Sequence, residues 1–196
     1  KIIRLSKKSR YLSASVSPDG RIIAAVENTI NNKNSIVFID TETANVTKSI
    51  PSPGNASLQR PQWAEGGGKI TAIFLNEEGE GVLSYNTSTQ EWEILIAAGR
   101  NDLQSSFLRN DSLFFITSLS GTDNISLRTP EQKITGLTNS RFGASDFSMA
   151  GSKILFSDYT SMGNNICSIT LPAAKGKQDE SVSSSSFLIN RFDIKP

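Results

Sequence analysis

Apolar residues in this chain fall in short runs broken by Gly, Asn, Asp, Ser and Pro, and no stretch keeps the period of about 3.6 residues that marks a long helix. The clearest unit is Ser15-Val16-Ser17-Pro18-Asp19-Gly20-Arg21-Ile22-Ile23-Ala24-Ala25-Val26. It reads as strand, tight turn, strand. Pro18 pre-sets φ for the first turn position, Asp19 can bond nearby backbone, and Gly20 accepts a positive φ. The flanks are β-branched or small and apolar, as a half-buried hairpin requires.

The unit recurs. Val16, Trp63, Phe107 and Phe147 are taken as the ends of successive first strands, separated by 47, 44 and 40 residues. Each is followed by a polar or Gly-bearing turn and a buried run: Pro18-Asp19-Gly20 with residues 22–26, Glu65-Gly66-Gly67-Gly68 with 70–75, Asn110-Asp111 with 113–116, and Gly151 with 154–156. Third strands are expected at 36–39, 82–85, 125–127 and 166–169, and fourth strands at 46–50, 92–96 and 134–137. The step from third to fourth strand is 7 residues in all three cases (39 to 46, 85 to 92, 127 to 134). Two of these turns share chemistry, Asp40-Thr41-Glu42-Thr43 and Asn86-Thr87-Ser88-Thr89, where an Asp or Asn followed by hydroxyl residues closes the turn through side-chain-to-backbone bonds.

Four strands repeated at this spacing predict an all-β chain: a β-propeller of four-stranded antiparallel blades, four of them covered, belonging to a larger or incompletely closed ring. A lone blade cannot bury both faces, so blades must stack on one another. At the N-terminal end, Lys1-Ile2-Ile3-Arg4-Leu5-Ser6 matches Lys133-Ile134-Thr135-Gly136-Leu137-Thr138, which predicts a fourth strand there. The absence of an initiating Met suggests a piece of a longer product. The expected organisation is blades over residues 1–171, a Ser-rich linker or insertion over 172–186, and the start of a further strand or a linker over 187–196.

Composition narrows the function. The chain has 196 residues, a formal net charge of +1 and no histidine. Without His, Ser-His-Asp and Cys-His catalysis and His metal ligation have no residues to use within this segment. Interspersed charges give no footprint for nucleic acid, and no run is long enough for a membrane-spanning helix. Cys167 is the one cysteine and lies in an alternating apolar run, where it reads as a small packed residue.

Most polar clusters have a local explanation. Asp19, Asp40 and Asp111 sit at turns, Glu77-Glu78-Gly79-Glu80 reads as a solvated hairpin tip, and Gly66-Gly67-Gly68-Lys69 precedes a strand, not a phosphate-binding helix. Five Asn-x-Ser/Thr sequons, at Asn45, Asn55, Asn86, Asn110 and Asn124, are also read as turn chemistry. No metal and no cofactor is expected.

Ser17-Pro18-Asp19-Gly20-Arg21 with its following strand, Pro61-Gln62-Trp63 at the second unit's corresponding place, and the Ile39-Asp40-Thr41-Glu42-Thr43 step toward Val46 together make the chain resemble TolB-like propeller repeats. The same repeats occur in the propeller domains of tricorn-type and prolyl-oligopeptidase-type peptidases. The resemblance spans residues 1–171 in pattern, with the motif itself only in the first two units. It implies a non-catalytic scaffold of the bacterial envelope, periplasmic or outer-membrane-associated, binding a protein or peptide partner at the mouth of the central channel, with no nucleic acid and no membrane insertion by this segment. Residues entering each first strand lie near that mouth in such a propeller. Here they are Arg10, Tyr11, Arg60, Gln104, Arg141 and Phe142, a cationic and aromatic set suited to an acidic peptide or carboxylate. Two alternatives are the gating propeller of a serine peptidase whose catalytic module lies elsewhere, and a carbohydrate- or small-ligand-binding propeller. Exposed apolar blade faces would make the segment prone to self-association.

Overall fold

The computed structural model describes residues 4–6 and 9–171. Among them every regular element is a strand except a single 3-10 turn at Pro53–Asn55. Four antiparallel sheets follow one another along the chain. The first is β1 (Tyr11–Val16), β2 (Ile22–Asn28), β3 (Asn34–Asp40) and β4 (Val46–Pro51), in that spatial order. The second is β5 (Ser57–Trp63), β6 (Lys69–Asn76), β7 (Gly79–Asn86) and β8 (Trp92–Gly99), ordered the same way. The third is β9 (Leu103–Arg109), β10 (Ser112–Thr117), β11 (Asn124–Arg128) and β12 (Ile134–Gly136). The fourth holds β13 (Ala144–Ala150), β14 (Lys153–Thr160) and β15 (Gly163–Thr170). Meandering sheets of this kind are propeller blades, and we refer to them as blades one to four.

The chain divides into two compact units, residues 1–115 and 116–196. In the first, blades one and two pack face to face. Their shared core joins Ala24, Val26, Ile36, Phe38 and Ile50 to Leu58, Trp63, Ile70, Ala72, Phe74, Leu83 and Tyr85. The register explains the selection. Val26 pairs with Ile36 and Ile36 with Ile50, so one face of blade one is apolar across three strands. Each such side chain contributes about 1.5–3 kcal/mol when fully buried. Trp63 fixes the seam: its ring lies 5.5 Å from that of Phe38, and its Nε1–H donates to the Ser15 carbonyl at 3.2 Å. Trp92 packs on Tyr85 of its own blade, 5.1 Å between centroids.

The turns use the chemistry their sequences offer. Ser17 Oγ donates to Asp19 Oδ1 at 2.6 Å and accepts from the Ile22 N–H at 2.9 Å, while Gly20 takes φ +75°. Asp40 Oδ1 accepts from the N–H groups of Glu42 and Thr43, as Asn86 Oδ1 does from Ser88 and Thr89. Thr41 and Thr87 each send a hydroxyl to the neighbouring first-to-second-strand turn, at the carbonyls of Gly20 and Gly68.

At the opposite end of the blades, each linker is pinned to the start of the preceding third strand. Asn34 donates its side chain to the Asn55 carbonyl and its N–H to Asn55 Oδ1, both at 2.9 Å. Glu80 accepts from the Leu103 N–H through Oε2 at 3.0 Å and from Asn101 Nδ2 through its carbonyl at 2.8 Å. In the second unit Asn124 Oδ1 accepts from Thr138 Oγ1 and the Ser140 N–H. Thus three of the sequon asparagines, Asn55, Asn86 and Asn124, hold turns or linkers, and Asn110 adopts φ +47° in a two-residue hairpin turn with Asp111.

Three details differ from the sequence reading. The last first strand is phased on Met149, which pairs with Ile154 as Val16 does with Ile23 and Trp63 with Ile70; Phe147 lies two residues earlier, inside a bulge. The third-to-fourth turn of blade three is one residue shorter than the other two, because Arg128 pairs with Ile134 whereas Ile39 pairs with Val46 and Tyr85 with Trp92. The described residues give blade four three strands, and Arg4, Leu5 and Ser6 are not in a strand, so the expected N-terminal strand does not extend over them. Its first residues, and the expected linker and further strand over 172–196, lie outside the described residues.

Candidate functional site

The first strands of blades two and four share an irregularity that sequence does not announce. In β5 the register jumps between Gln59 and Gln62, leaving Arg60 and Pro61 opposite Ala72; in β13 it jumps between Ser145 and Ser148, leaving Asp146 and Phe147 opposite Phe156. Arg60 and Asp146 accordingly take φ +48° and +51°. A non-glycine residue in the left-handed region costs about 1–2 kcal/mol, and bulges of this kind re-aim the side chain they carry.

In the first unit the bulge at Arg60 joins three first strands. Its N–H donates to Ser13 Oγ of β1 at 3.1 Å, and its guanidinium Nη1 donates to the Gln104 carbonyl of β9. Two residues on, Ser15 Oγ lies 3.4 Å from Gln62 Oε1. Arg60, Gln59 and Gln62 are exposed, and Ser13, Ser15 and Gln104 are half-buried. The result is a polar strip across β1, β5 and β9 with one cation on it.

The other expected site residues fall into separate groups. Arg10 is exposed in the residue before β1, with its carbonyl accepting from the Asn28 N–H at 3.2 Å. Tyr11 turns its ring against Ala25, Val37 and Ile39 on the opposite face of blade one, so much of it serves packing. In the second unit Arg141 lies over the ring of Phe142, 5.3 Å from its centroid, and Phe142 is 51% exposed. That pair stands at a bend directly before β13, followed in the chain by Asp146, whose Oδ2 accepts from Ser145 Oγ at 3.0 Å. Arg60 and Gln104 are therefore brought together, as are Arg141 and Phe142. Ser13, Ser15 and Asp146 were missed because strand pairing, not residue type, puts them there.

The turn carboxylates have structural roles. The Ser17 hydroxyl and then the Arg21 N–H hold Asp19 below the usual carboxylate range. Asp40 is lowered by the Thr43 N–H and hydroxyl. Asp111 pairs with Lys69 at 2.9 Å, and Glu65 with Arg109 at 2.8 Å. Among the described residues no group of three or more His, Cys, Asp or Glu could hold a metal. No helix among them is long and apolar enough to cross a membrane. The arrangement can bind through hydrogen bonds and charge.

Comparison with solved structures places the fold. TolB from Acinetobacter baumannii superposes with a TM-score of 0.70 at 16% identity, over 86% of this chain and 43% of that one. A TolB of Agrobacterium tumefaciens gives 0.65 at 17% identity, over 81% and 60%. A puromycin hydrolase gives 0.66 at 10% identity, over 90% and 30%. No protein-family model matches the sequence, and no curated protein matches it. The fold is the β-propeller, and over most of its length this chain is similar in structure to part of each TolB. It spans less than two thirds of the length of either TolB.

Proposed function

We propose that this chain is a non-catalytic propeller scaffold that binds a protein or peptide partner in a bacterial cell envelope. The observation that carries the reading is the polar strip on β1, β5 and β9, where a rigid set of strands holds Arg60 against Ser13 and Gln104 while leaving it open to solvent. Sites built on strands are positioned more firmly than sites on loops, and Arg with nearby aromatics is the usual currency of protein recognition. Arg10 and the Arg141–Phe142 pair offer further contacts of the same chemistry. The likeness to the two TolB structures supports the envelope setting. The apolar side chains exposed on blade one (Leu12, Val16 and Val46) favour self-association of the isolated segment.

A second reading has a specific observation behind it. The puromycin hydrolase likeness fits a gating propeller of a serine peptidase, with this chain as the propeller part. The chain supplies no histidine, so its triad base would come from outside these residues.

Site-specific photo-crosslinking in the bacterial periplasm separates the readings. Probes at Arg10 and Arg141 should each give a discrete protein adduct, and a control probe at exposed Glu93 on β8 should give none. Adducts equal at all three positions would sink the scaffold reading. Captured substrates trimmed by a serine module of the intact gene product would transfer it to the peptidase class.

A further inference from the structure

We propose that Arg60 is a carboxylate-recognition residue, receiving on its guanidinium the carboxylate of an acidic peptide segment. The inference rests on the peptide-binding reading above and adds the chemistry of the ligand.

Three other cations of the first unit, Lys48, Lys69 and Arg109, have side-chain partners. Lys69 is neutralised by Asp111 and Arg109 by Glu65, at 2.9 and 2.8 Å. Lys48 is spent on Tyr85, with Nζ 3.1 Å from the hydroxyl. Arg60 has no carboxylate partner among the described residues; its side-chain bond goes to a backbone carbonyl, that of Gln104. A guanidinium has five N–H donors in a planar fork, so most of that fork remains available. The Gln104 bond fixes its orientation, which reduces the entropy lost when a ligand docks.

The bulge itself does not require an arginine. At the same register position β13 carries Asp146, with the opposite charge and nearly the same φ. Backbone geometry therefore accounts for the re-aimed side chain but not for its cationic fork. The side chains next to it are uncharged: Gln59 and Gln62 on β5, Ser13 and Ser15 on β1. A single fixed cation in such a strip selects a single carboxylate, and a bidentate Arg–carboxylate pair is the strong form of that contact. An Asp or Glu side chain and a peptide C-terminus present the same group.

The test uses the whole chain, labelled with 15N at arginine, and three synthetic decapeptides of one Gly/Ser sequence. One carries a central Glu and an amidated end, one a central Gln and an amidated end, and one a central Gln and a free C-terminus. The Nε–Hε resonance of Arg60, assigned by its loss in Arg60→Lys, should shift saturably with the Glu peptide or with the free-acid peptide, and which one responds identifies the carboxylate source. Arg60→Gly removes the fork and relieves the positive φ, so it should fold at least as well while weakening that peptide at least about tenfold. Three outcomes would overturn the assignment. If the amidated Gln peptide shifts Arg60 equally, or if acidic peptides move only Arg10 and Arg141, Arg60 is not the carboxylate site and peptide binding still stands. If no arginine or backbone resonance responds to any peptide, both readings fall.

Discussion

Blades one and two solve one structural problem twice, and the places where they diverge separate what the fold demands from what it tolerates. Both close the third-to-fourth turn on a side-chain oxygen, from Asp40 in one and Asn86 in the other, with a left-handed residue four positions on (Ala44 at +58°, Gln90 at +63°). The turn needs an acceptor, not a charge. Both pin the outgoing linker to the start of the third strand, yet blade one uses amide–amide bonds from Asn34 and blade two uses the Glu80 carboxylate and carbonyl. In blade two the backbone of the fourth strand closes directly over the third. A Cβ on Gly81 would lie 2.5 Å from the Ile96 carbonyl oxygen and 2.5 Å from Phe74 Cε1. The paired position in blade one is Ser35, opposite Pro51, where a side chain is accommodated.

The largest break in this parallel should come from that glycine. Gly81→Ala forces the β8 backbone away from β7 and is expected to destabilise the first unit by about 3 kcal/mol or more, since overpacking against backbone has no soft neighbour to yield. The reverse change in blade one, Ser35→Gly, should cost only about 0.5–1 kcal/mol, the ordinary penalty for glycine in a strand. Urea unfolding of both variants decides it. Equal midpoints would show that β8 can shift freely, and that the close approach is incidental.

A middle-sized effect is expected at the linker clamps. Asn34→Ala removes the donor to the Asn55 carbonyl and the acceptor of Asn28 Nδ2, both at 2.9 Å, in a side chain that is buried. The loss should be about 1–2 kcal/mol, the cost of leaving buried partners unmatched. Asn101→Ala in blade two removes the bonds to the carbonyls of Glu80 and Ala97 but leaves the Glu80–Leu103 bond, so it should cost less. Hydrogen exchange at Asn55 and Leu103 would report each clamp separately. Faster exchange at both sites from either variant would mean that the linkers open as one piece.

The comparison also shows which parts of the fold could be read from residues alone. Ser17-Pro18-Asp19-Gly20 and the Asp40 and Asn86 turns were legible because their bonds are local: side chain to backbone within a few residues. Trp63 was legible as the end of a first strand from its spacing to Val16 and the turn that follows it. Phasing failed in the fourth unit because Phe147, the large apolar residue that reads as the strand end, lies inside the bulge between Ser145 and Ser148, and the strand runs two residues further to pair Met149 with Ile154. The same blindness applies to the candidate site. Arg60 and Gln104 could be proposed from their positions near first strands, but their contact, and the part played by Ser13, depend on the register of β1, β5 and β9. Pairing between strands about 44–48 residues apart leaves no local trace.

The smallest effect is the most discriminating, because it isolates charge from geometry. In the folded chain Asp40 and Asp19 lie below their ordinary pKa, Asp40 through the Thr43 N–H and hydroxyl, Asp19 through the Ser17 hydroxyl and Arg21 N–H. The unfolded chain therefore binds more protons than the folded one as pH falls below the ordinary carboxylate value of about 4. The stabilisation from these turns is complete above that value and is lost as pH drops through the lowered folded-state values. The Asn86 turn makes the same bonds without a titrating group and contributes no such slope. Asp40→Asn converts the first turn into the second, so its acid limb, followed as urea midpoints from about pH 2.5 to 6, should be flatter than that of the parent chain. Asn86→Asp should steepen it. Added salt should change the slopes little, since the bonds responsible are direct contacts and not long-range fields. Parallel acid limbs for the parent, Asp40→Asn and Asn86→Asp would mean that the turn holds its carboxylate no better than the unfolded chain does, and the equivalence drawn between the two turns would then be one of shape alone.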